Sequence, residues 1–443
     1  MLFLFWSGLE VYALKKGGNG REGCFAPEIY FCYRRIFFFL NAYGIIKTIG
    51  IFEKSDTTEG ISLLSIPVKS LREGMVVGQS IYSKAGAAYL VKGKPLTNQY
   101  IKQMKKIGIP SISVSTVDPR FEVDIPEDVV QEKTRMDAIQ MVHDVFEDLT
   151  DKKEMDTDGL TKITDRIVTD VFSRNEHLVQ LTDIRLHDTY TFAHSVNVAV
   201  LSAMIGKFSE LSDEDMKTLV MGGLLHDLGK IKVPSSILNK KGRLTPLEFE
   251  EIKAHPLEGA QRIHDFEWML PKSGILAAIA AQHHERIDGK GYPRGIKGAK
   301  IHRFAKMVAV ADVYDALTSE RPYKKAYTPS VAYGIMRITK GHLETELMEK
   351  FFDHVAIYPV GTVLKTFYGY GIVTKCEFGH TRTPTVCIFA DKKRNMLEQT
   401  VTIDLKDDSP KAIEKEISGT DLLALTQNFS FDPSKYLTGR SAQ

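Results

Sequence analysis

Residues 224–230 read LLHDLGK, so an apolar run ends on an adjacent histidine and aspartate. Gly222 and Gly223 stand one helical turn before His226 and leave room for a close neighbour. An ionisable group on an apolar face is costly to bury unless another group pairs with it. Taken alone, His226 is most simply explained as a hydrogen-bonded core residue. Its function therefore depends on what other parts of the chain bring to it.

Four further fragments place histidine or aspartate where a helix face would direct it inward. Five histidines and two acids on such faces cannot readily satisfy one another without cations, and imidazole with carboxylate is a ligand set for iron, manganese or zinc. Two cations about 3.5–4 Å apart, bridged by a carboxylate such as Asp227, can activate a shared water and hold both oxygens of a phosphoryl transfer. The pattern predicts phosphoester hydrolysis. The fragments are TFAHS at 191–195, KAHPLEG at 253–259, AQHHERIDGKGYPRG at 281–295 and AVADVYDA at 309–316.

Two neighbouring features suit a phosphate substrate. Lys230 follows Asp227 by three residues on the same helix face, which would place an ammonium beside the cations. The ordinary alternative for Lys230 is a solvated surface lysine. In DGKGYPRG at 288–295, glycines permit positive φ and a proline fixes the backbone after Tyr292. Because this turn follows two adjacent histidines, we expect it to form a lip of the site.

The whole sequence predicts a mainly α protein in which small β-rich modules flank a helical domain. Short apolar alternations broken by glycine indicate the strands, and apolar residues at three- and four-residue spacing indicate the helices. Two helix starts are marked by capping residues, Ser212 with Asp215 and Thr245 with Glu248. The expected segments are an apolar leader at 1–60, a β-rich module at 61–118, a linker with packing helices at 119–185, the catalytic domain at 186–356, a second β-rich module at 357–410 and a polar tail at 411–443.

Charge and cysteine content limit the classes of function. The chain has 58 Lys and Arg against 56 Asp and Glu, a formal charge of +2, so no overall field attracts DNA, RNA or an acidic membrane. Its four cysteines form no CxxC pair, which argues against a thiolate metal site and suits a reducing compartment. We expect a cytoplasmic protein without a nucleic-acid partner.

The leader at 1–60 carries apolar runs without sustained periodicity. A spanning helix needs about 20 mainly apolar residues, and Asn41 and Lys47 interrupt the longer run. We expect a poorly ordered or interfacial leader that supplies no catalytic residue. A membrane anchor is the minor alternative.

Taken together, HD followed by GK, then HP, HHERxDGxGYP, ADVYDA and RPY resemble the HD-GYP family of phosphodiesterases, within the HD hydrolase superfamily. The resemblance covers about 170 residues, from Asp188 to roughly His354. It implies an all-helical HD-type metal-dependent hydrolase domain with two divalent metal ions, iron or manganese being favoured. It also implies hydrolysis of cyclic di-GMP to the linear dinucleotide, GMP or both, through a metal-bridging hydroxide.

The resemblance assigns roles to individual residues. Asp227 would bridge the cations and, with Lys230, would be catalytic. The implied substrate-binding residues are Lys230, Tyr292, Arg321 and Lys324, and for the last two a basic surface turn is an equal alternative. The implied metal ligands are His194, His226, Asp227, His255, His283, His284 and Asp312.

One position departs from the family pattern, and several alternatives stay open. Members with three metals carry a glutamate four residues before the first histidine, where this chain has Tyr190. A phenol is a poor ligand, so a two-metal site is favoured. The open alternatives are a phosphodiesterase for another cyclic dinucleotide such as cyclic GMP-AMP, and a non-catalytic receptor for cyclic di-GMP. The other expected partners are a second copy of the chain, in a homodimer, and diguanylate cyclase domains that would contact the GYP loop at 288–295.

Overall fold

The computed structural model describes most of the chain beyond the leader. None of the helices within the described ranges is both long and apolar enough to cross a membrane. The leader at 1–60, part of the linker at 119–128, and the predicted substrate-binding residues Arg321 and Lys324 lie outside the described residues. The described residues are 62–68, 71–78, 81–82, 88–91, 93–107, 111–116, 129–150, 154–173, 190–238, 240, 242–319, 326–406, 408 and 410–417.

The first described segment is a small β-rich unit with one helix. Strands β1, β5 and β2 form an antiparallel sheet in that order, and β3 pairs with β4. Ile101 and Met104, at helical spacing on α1, are buried against the sheet residues. The elements are β1 (Ser62–Pro67), β2 (Val76–Val77), β3 (Ile81–Tyr82), β4 (Ala88–Leu90), α1 (Asn98–Ile107) and β5 (Ser111–Thr116).

A helical region follows, in which most helices share one hydrophobic core, and Val233, Ile237, Leu244 and Ile252 form a smaller cluster. Short 3₁₀ turns lie at Leu228–Lys232 and Gly298–Lys300. The helices are α2 (Glu132–Thr150), α3 (Thr157–Ser173), α4 (Tyr190–Phe208), α5 (Asp213–Leu225), α6 (Ser235–Leu238), α7 (Pro246–Lys253), α8 (His255–His264), α9 (Ser273–Gln282), α10 (Arg303–Thr318), α11 (Pro329–Ile338) and α12 (Thr345–His354).

Both capped helix starts were predicted correctly. The Ser212 hydroxyl accepts the Asp215 backbone N–H at 3.2 Å where α5 begins. At the start of α7, Thr245 and Glu248 form a reciprocal capping box, which satisfies two backbone N–H groups that the first helical turn leaves unpaired.

Helix α4 lies at the centre of the core, because its middle turns are buried on every side. Gly223 of α5 faces it so closely that an added Cβ would lie 2.7 Å from Cα of Ala199. The absent side chain lets α5 approach the α4 backbone. As a result, the rings of His194 and His226 come to 5.3 Å between centroids.

The C-terminal part is a five-stranded antiparallel sheet in the order β10-β6-β7-β8-β9. Glycine at 369 has a φ of 139°, and Ala390 of the neighbouring strand lies so close that a Cβ there would meet its backbone. The strands are β6 (Val363–Thr366), β7 (Gly369–Lys375), β8 (Thr385–Ala390), β9 (Met396–Asp404) and β10 (Ile413–Ile417).

Two features of the β-rich parts differ from the sequence expectations. Residues 413–417, expected in a polar tail, form β10, because β6 offers an open edge and Ile417 buries its side chain. The N-terminal and C-terminal strands were also expected to form separate modules. They instead share one hydrophobic cluster, in which Val77 and Val114 lie with Tyr370 and Ile372.

Candidate metal centre

The predicted ligands come from the ends and faces of five helices. Helix α5 ends at Leu225, so His226 and Asp227 project from its carboxyl end, where the chain turns into the 3₁₀ segment. His194 and Asp312 lie within α4 and α10, His255 begins α8, and His283 follows the last residue of α9. The side chains are almost fully buried, and His284 is the most accessible of them at 10% exposure.

The two oxygens of Asp227 face two different groups of histidines. On one side, Asp227 Oδ1 lies 3.3 Å from His255 Nε2 and 3.8 Å from His283 Nε2. On the other side, Oδ2 lies 3.3 Å from His226 Nε2 and 3.7 Å from His194 Nε2. Each group, the first with His284 added, places its ligand atoms within 4.8 Å of one another. A carboxylate shared between two such groups is suited to bridging.

Asp312 is a second carboxylate that lies beside the histidines of the cluster. Its Oδ1 lies 3.1 Å from His194 Nε2, and its Oδ2 lies 3.8 Å from His284 Nδ1. Asp312 therefore connects the His194 group to His284, and Asp227 likewise belongs to both groups.

The tautomers of three histidines are fixed by backbone carbonyls. His226 Nδ1 donates to Gly223 O at 2.7 Å, and His255 Nδ1 donates to Ile252 O at the same distance. His283 Nδ1 donates to Ala280 O at 2.8 Å. Since a carbonyl can only accept, the ring proton stays on Nδ1, and the lone pair of each Nε2 points into the cluster.

Electron pairs therefore meet at the centre without protons between them. His255 Nε2 and His283 Nε2 are 3.3 Å apart, and both are acceptors once Nδ1 carries the proton. Among the described atoms, His226 Nε2, Asp227 Oδ1 and Asp312 Oδ2 are buried without a hydrogen-bond partner. Such an arrangement is unfavourable alone and favourable around cations. The residues fit divalent metal ions of the kind that imidazole and carboxylate bind.

The electrostatics of the histidines agree with a ligand role. Burial, with the nearby His226 and His255, lowers the pKa of His283 to about 3. Burial also lowers the pKa of His255 and holds the pKa of His284 well below its usual value. These imidazoles are neutral near pH 7, so their lone pairs are available to a metal.

The carboxylates give the same centre its negative charge. Burial would raise the pKa of Asp227, but His226 and Lys230 outweigh it and hold the pKa well below its usual value. The pKa of Asp312 is lowered in the same way by His194. Burial lowers the pKa of His194, yet hydrogen bonds to carboxylates outweigh it and raise the value to about 9. The carboxylates that favour a proton there would equally favour a cation.

Lys230 and Tyr292 border this cluster. The Lys230 ammonium donates to Asp227 Oδ2, and its side chain is 22% exposed at the rim. The Tyr292 ring is buried with its centroid 4.7 Å from that of His284, and its hydroxyl lacks a hydrogen-bond partner among the described groups. Burial raises the pKa of Tyr292 well above its usual value, so its hydroxyl stays protonated and can donate. Both residues can present a donor to an anion at the metal centre.

Three supporting residues were missed from the sequence. Asp315 accepts from His194 Nδ1 at 2.6 Å, and Asn197 donates to Asp315 at 2.8 Å. Glu285 is buried and accepts the backbone N–H groups of residues 294 and 296, which fixes the turn that contains Tyr292. Spacing could have found the first two, since each lies three residues from a predicted ligand on the same helix. Arg321, Lys324 and the side chain of Tyr190 lie outside the described part, so their predicted roles stay predictions.

Comparisons with known proteins find similarity in the segment that contains this site. The sequence model of the HD domain family matches residues 169–347. A cyclic di-GMP phosphodiesterase of Pseudomonas aeruginosa is 35% identical over 262 residues, which are 59% of this chain and 63% of that protein.

Two other relatives match shorter stretches of the chain. The cyclic di-GMP phosphodiesterase response regulator of Xanthomonas campestris pv. campestris is 39% identical over 160 residues, 36% of this chain and 42% of that protein. The 3'3'-cGAMP-specific phosphodiesterase 1 of Vibrio cholerae is 36% identical over 162 residues, 36% of this chain and 37% of that protein. The chain thus matches less than two thirds of the length of these relatives. The HD domain family model thus matches the segment of this chain, residues 169–347, that contains all seven candidate ligands.

Proposed function

We propose that this chain is a metal-dependent phosphodiesterase that hydrolyses cyclic di-GMP to the linear dinucleotide, GMP or both. The observation that carries the proposal is the position of Asp227, whose two oxygens face two separate groups of histidine lone pairs. Support for the substrate comes from relatives of the HD domain that are named cyclic di-GMP phosphodiesterases.

The proposed centre holds two divalent cations, with iron or manganese favoured. His255, His283 and His284 would hold one, His194 and His226 the other, with Asp227 shared between them and Asp312 completing the set. Bound cations would supply Lewis acidity, lower the pKa of a water and neutralise charge on a phosphoryl group. The histidines and carboxylates are buried, and electrostatic interactions are stronger in such an environment than in bulk water.

The residues at the rim would bind and orient the substrate. The Lys230 ammonium is fixed by Asp227 yet remains partly exposed, so it can donate to a phosphate oxygen without leaving its partner. The Tyr292 hydroxyl is a buried donor on the same side as His284. Glu285 fixes the turn around Tyr292. Arg321 and Lys324 would bind the phosphates, as the family resemblance implies.

Cyclic GMP-AMP is a second candidate substrate. A relative 36% identical over 162 residues is named a 3'3'-cGAMP-specific phosphodiesterase. Both dinucleotides have the phosphodiester that the metal centre would act on, and they differ in one base. The proposed roles of Lys230 and Tyr292 concern the phosphate, which the two substrates share, so these residues do not favour one base over the other.

The test is product analysis with purified protein of measured metal content, given cyclic di-GMP and 3'3'-cGAMP in parallel. We expect linear dinucleotide or GMP from cyclic di-GMP. The matched variant is Asp227→Asn, in which loss of one charged oxygen should reduce metal content and turnover together. Tight binding of cyclic di-GMP by metal-loaded protein without any product would instead establish a receptor. Preferential turnover of 3'3'-cGAMP would move the assignment to the second substrate.

Three further parts of the proposal rest on the sequence. They are a cytoplasmic location, a homodimer, and contact of the turn at 288–295 with diguanylate cyclase domains. Cell fractionation tests the first, and sedimentation of the purified protein tests the second. A variant with Lys290→Glu in the turn, compared with wild type in a binding assay with a purified cyclase domain, tests the third.

A further inference from the structure

We propose that Arg135, on helix α2, is a positioning residue for the metal ligand His194 and acts through Asn197 and Asp315. Helix α2 ends at Thr150, upstream of the HD domain at 169–347. The inference rests on the metal centre of the proposed function, and it deepens that function by extending the site to a helix outside the HD domain.

The contact next to the ligand sets the direction of the His194 ring. Asp315 Oδ2 accepts from His194 Nδ1 at 2.6 Å. With a proton held on Nδ1, Nε2 faces Asp227 and Asp312 in the cluster, where a cation would replace the second ring proton. A carboxylate behind a metal-binding imidazole fixes the tautomer and orientation of the ring and increases its basicity.

The next contact orients Asp315 itself. Asn197 Nδ2 donates to Asp315 Oδ1 at 2.8 Å, and the hydroxyl of Ser319 donates to the same oxygen at 2.8 Å. These donors occupy one oxygen and leave the other for His194. If the Asn197 amide turned over, its oxygen would face the carboxylate and repel it, so the orientation of this amide matters.

Arg135 fixes the amide in the required orientation. Its guanidinium donates from Nη1 to Asn197 Oδ1 at 2.9 Å, and an arginine can only donate. The amide oxygen therefore points to Arg135, and its NH₂ group points to Asp315. Arg135 is 2% exposed, so water cannot readily replace this donor.

Helix α2 is itself held in place by a polar contact. Gln131, the residue before α2, donates from its backbone N to Asp170 Oδ2 at 3.0 Å and from its side chain to Oδ1 at 3.1 Å. Asp170 belongs to α3 and is buried. The first turn of α2 is thus fixed, and Arg135, one turn inside it, reaches the site from a defined position.

The alternative is that Arg135 only stabilises the fold. Such a residue would change the free energy of unfolding and leave the affinity of a folded protein for metal unchanged. A positioning residue changes metal affinity, and its effect depends on the residues through which it acts. These two roles therefore predict different results in a binding measurement.

The experiment titrates the metal-free full-length chain with Mn²⁺ and follows free Mn²⁺ by electron paramagnetic resonance. We expect Arg135→Met to weaken Mn²⁺ binding by about tenfold, the lower end of the range for partners behind metal ligands. The matched control is Arg166→Met, which removes an exposed guanidinium that also contacts α2, at Asp137, but does not reach Asn197. Its Mn²⁺ affinity should equal that of wild type.

A double-mutant cycle tests whether Arg135 acts through Asn197. In an Asn197→Leu background, Arg135→Met should cause no further loss of Mn²⁺ affinity, because the connection is already broken. Wild-type affinity in folded Arg135→Met, or equal losses from Arg135→Met with and without Asn197, would overturn the proposal.

If Arg135→Met cannot be purified folded, Asn197→Leu alone decides the question. It removes the connection one step nearer the ligand, and unchanged Mn²⁺ affinity would refute the inference. No substrate enters these measurements. Failure to hydrolyse cyclic di-GMP would therefore refute the proposed function without affecting this result, and the reverse also holds.

Discussion

Gly229→Ala should weaken the metal centre although Gly229 is not itself a candidate ligand. Gly229 lies between Asp227 and Lys230 in the 3₁₀ turn, and its Cα faces the start of α8. A Cβ at this position would overlap the carbonyl oxygen of His255 and would lie 2.5 Å from the backbone N of Gly259. Both obstacles are backbone atoms, so no side chain can turn aside to make room.

The size of the effect follows from this geometry. Real Cβ atoms essentially never come within 3.0 Å of such atoms, so the turn and α8 must separate by about 1 Å in a close-packed interior. Overpacking of this kind costs about 1–3 kcal/mol of the free energy of unfolding. The shift also moves His255 away from Asp227 Oδ1, now 3.3 Å from its Nε2. Since ligand distances tolerate only about 0.2 Å, one cation should lose a ligand.

The assay combines urea unfolding, Mn²⁺ titration and the phosphodiesterase rate. We expect a loss of about 1–3 kcal/mol in unfolding free energy, weaker Mn²⁺ binding, and turnover reduced by about 100-fold, as a misplacement near 1 Å can cause. The control is Gly334→Ala on α11, where an added Cβ meets nothing within 4 Å. That variant should be unchanged or more stable by up to about 1 kcal/mol. If Gly229→Ala matched the control in stability and Mn²⁺ affinity, the close packing of the turn on α8 would not position the ligands.

Three other changes test separate parts of the description. Arg321→Ala and Lys324→Ala should keep their metal content but bind cyclic di-GMP more weakly by about 1.5–3 kcal/mol for each lost charge-assisted bond, in calorimetry, and unchanged affinity in both would leave them as surface residues. Burial, with the charge of Arg286 nearby, lowers the pKa of His342 to about 4, so the unfolded chain takes up the proton first, and stability present above pH 6.5 is lost as the pH falls to 4. In urea unfolding of metal-free protein, the loss at low pH should be about 3 kcal/mol smaller in His342→Gln than in wild type, where other buried histidines such as His283 also contribute; equal pH profiles would contradict it. Thr245→Ala should cost about 1 kcal/mol of unfolding free energy by removing the α7 capping box, with Mn²⁺ affinity as the control that stays constant.

The sequence alone was sufficient to predict helix caps and apolar helix faces, because these depend on residues that are close in the chain. Ser212 and Thr245 cap helices with the partners that their spacing indicated, because a cap involves atoms three residues apart. The apolar faces of the helices were also predictable, since burial selects residues at helical spacing. Gly223 indicated a close neighbour because it has no side chain. The local pattern did not identify that neighbour, which is Ala199 of α4.

The convergence of the ligands required the tertiary structure. The sequence indicated that histidine and aspartate lie on inward faces, but only the packing of α4, α5, α8, α9 and α10 brings their atoms to within a few ångströms of one another. The same holds for the single core shared by the strands at either end of the chain, and for β10, whose alternation is too weak to predict a strand without β6 as a partner.

Arg135 is the clearest example of a residue whose relation to the site could not be predicted from the sequence. In sequence it is one charged residue on a helix, 59 positions before His194, and nothing in the pattern relates it to the site. The sequence by itself determined which residue types could bind metal and which helices would carry them. Carbonyls three residues earlier fix the inward nitrogen of His226, His255 and His283. Tertiary structure decided the inward nitrogen of His194, because its Nδ1 bonds to Asp315, which packing brings from α10.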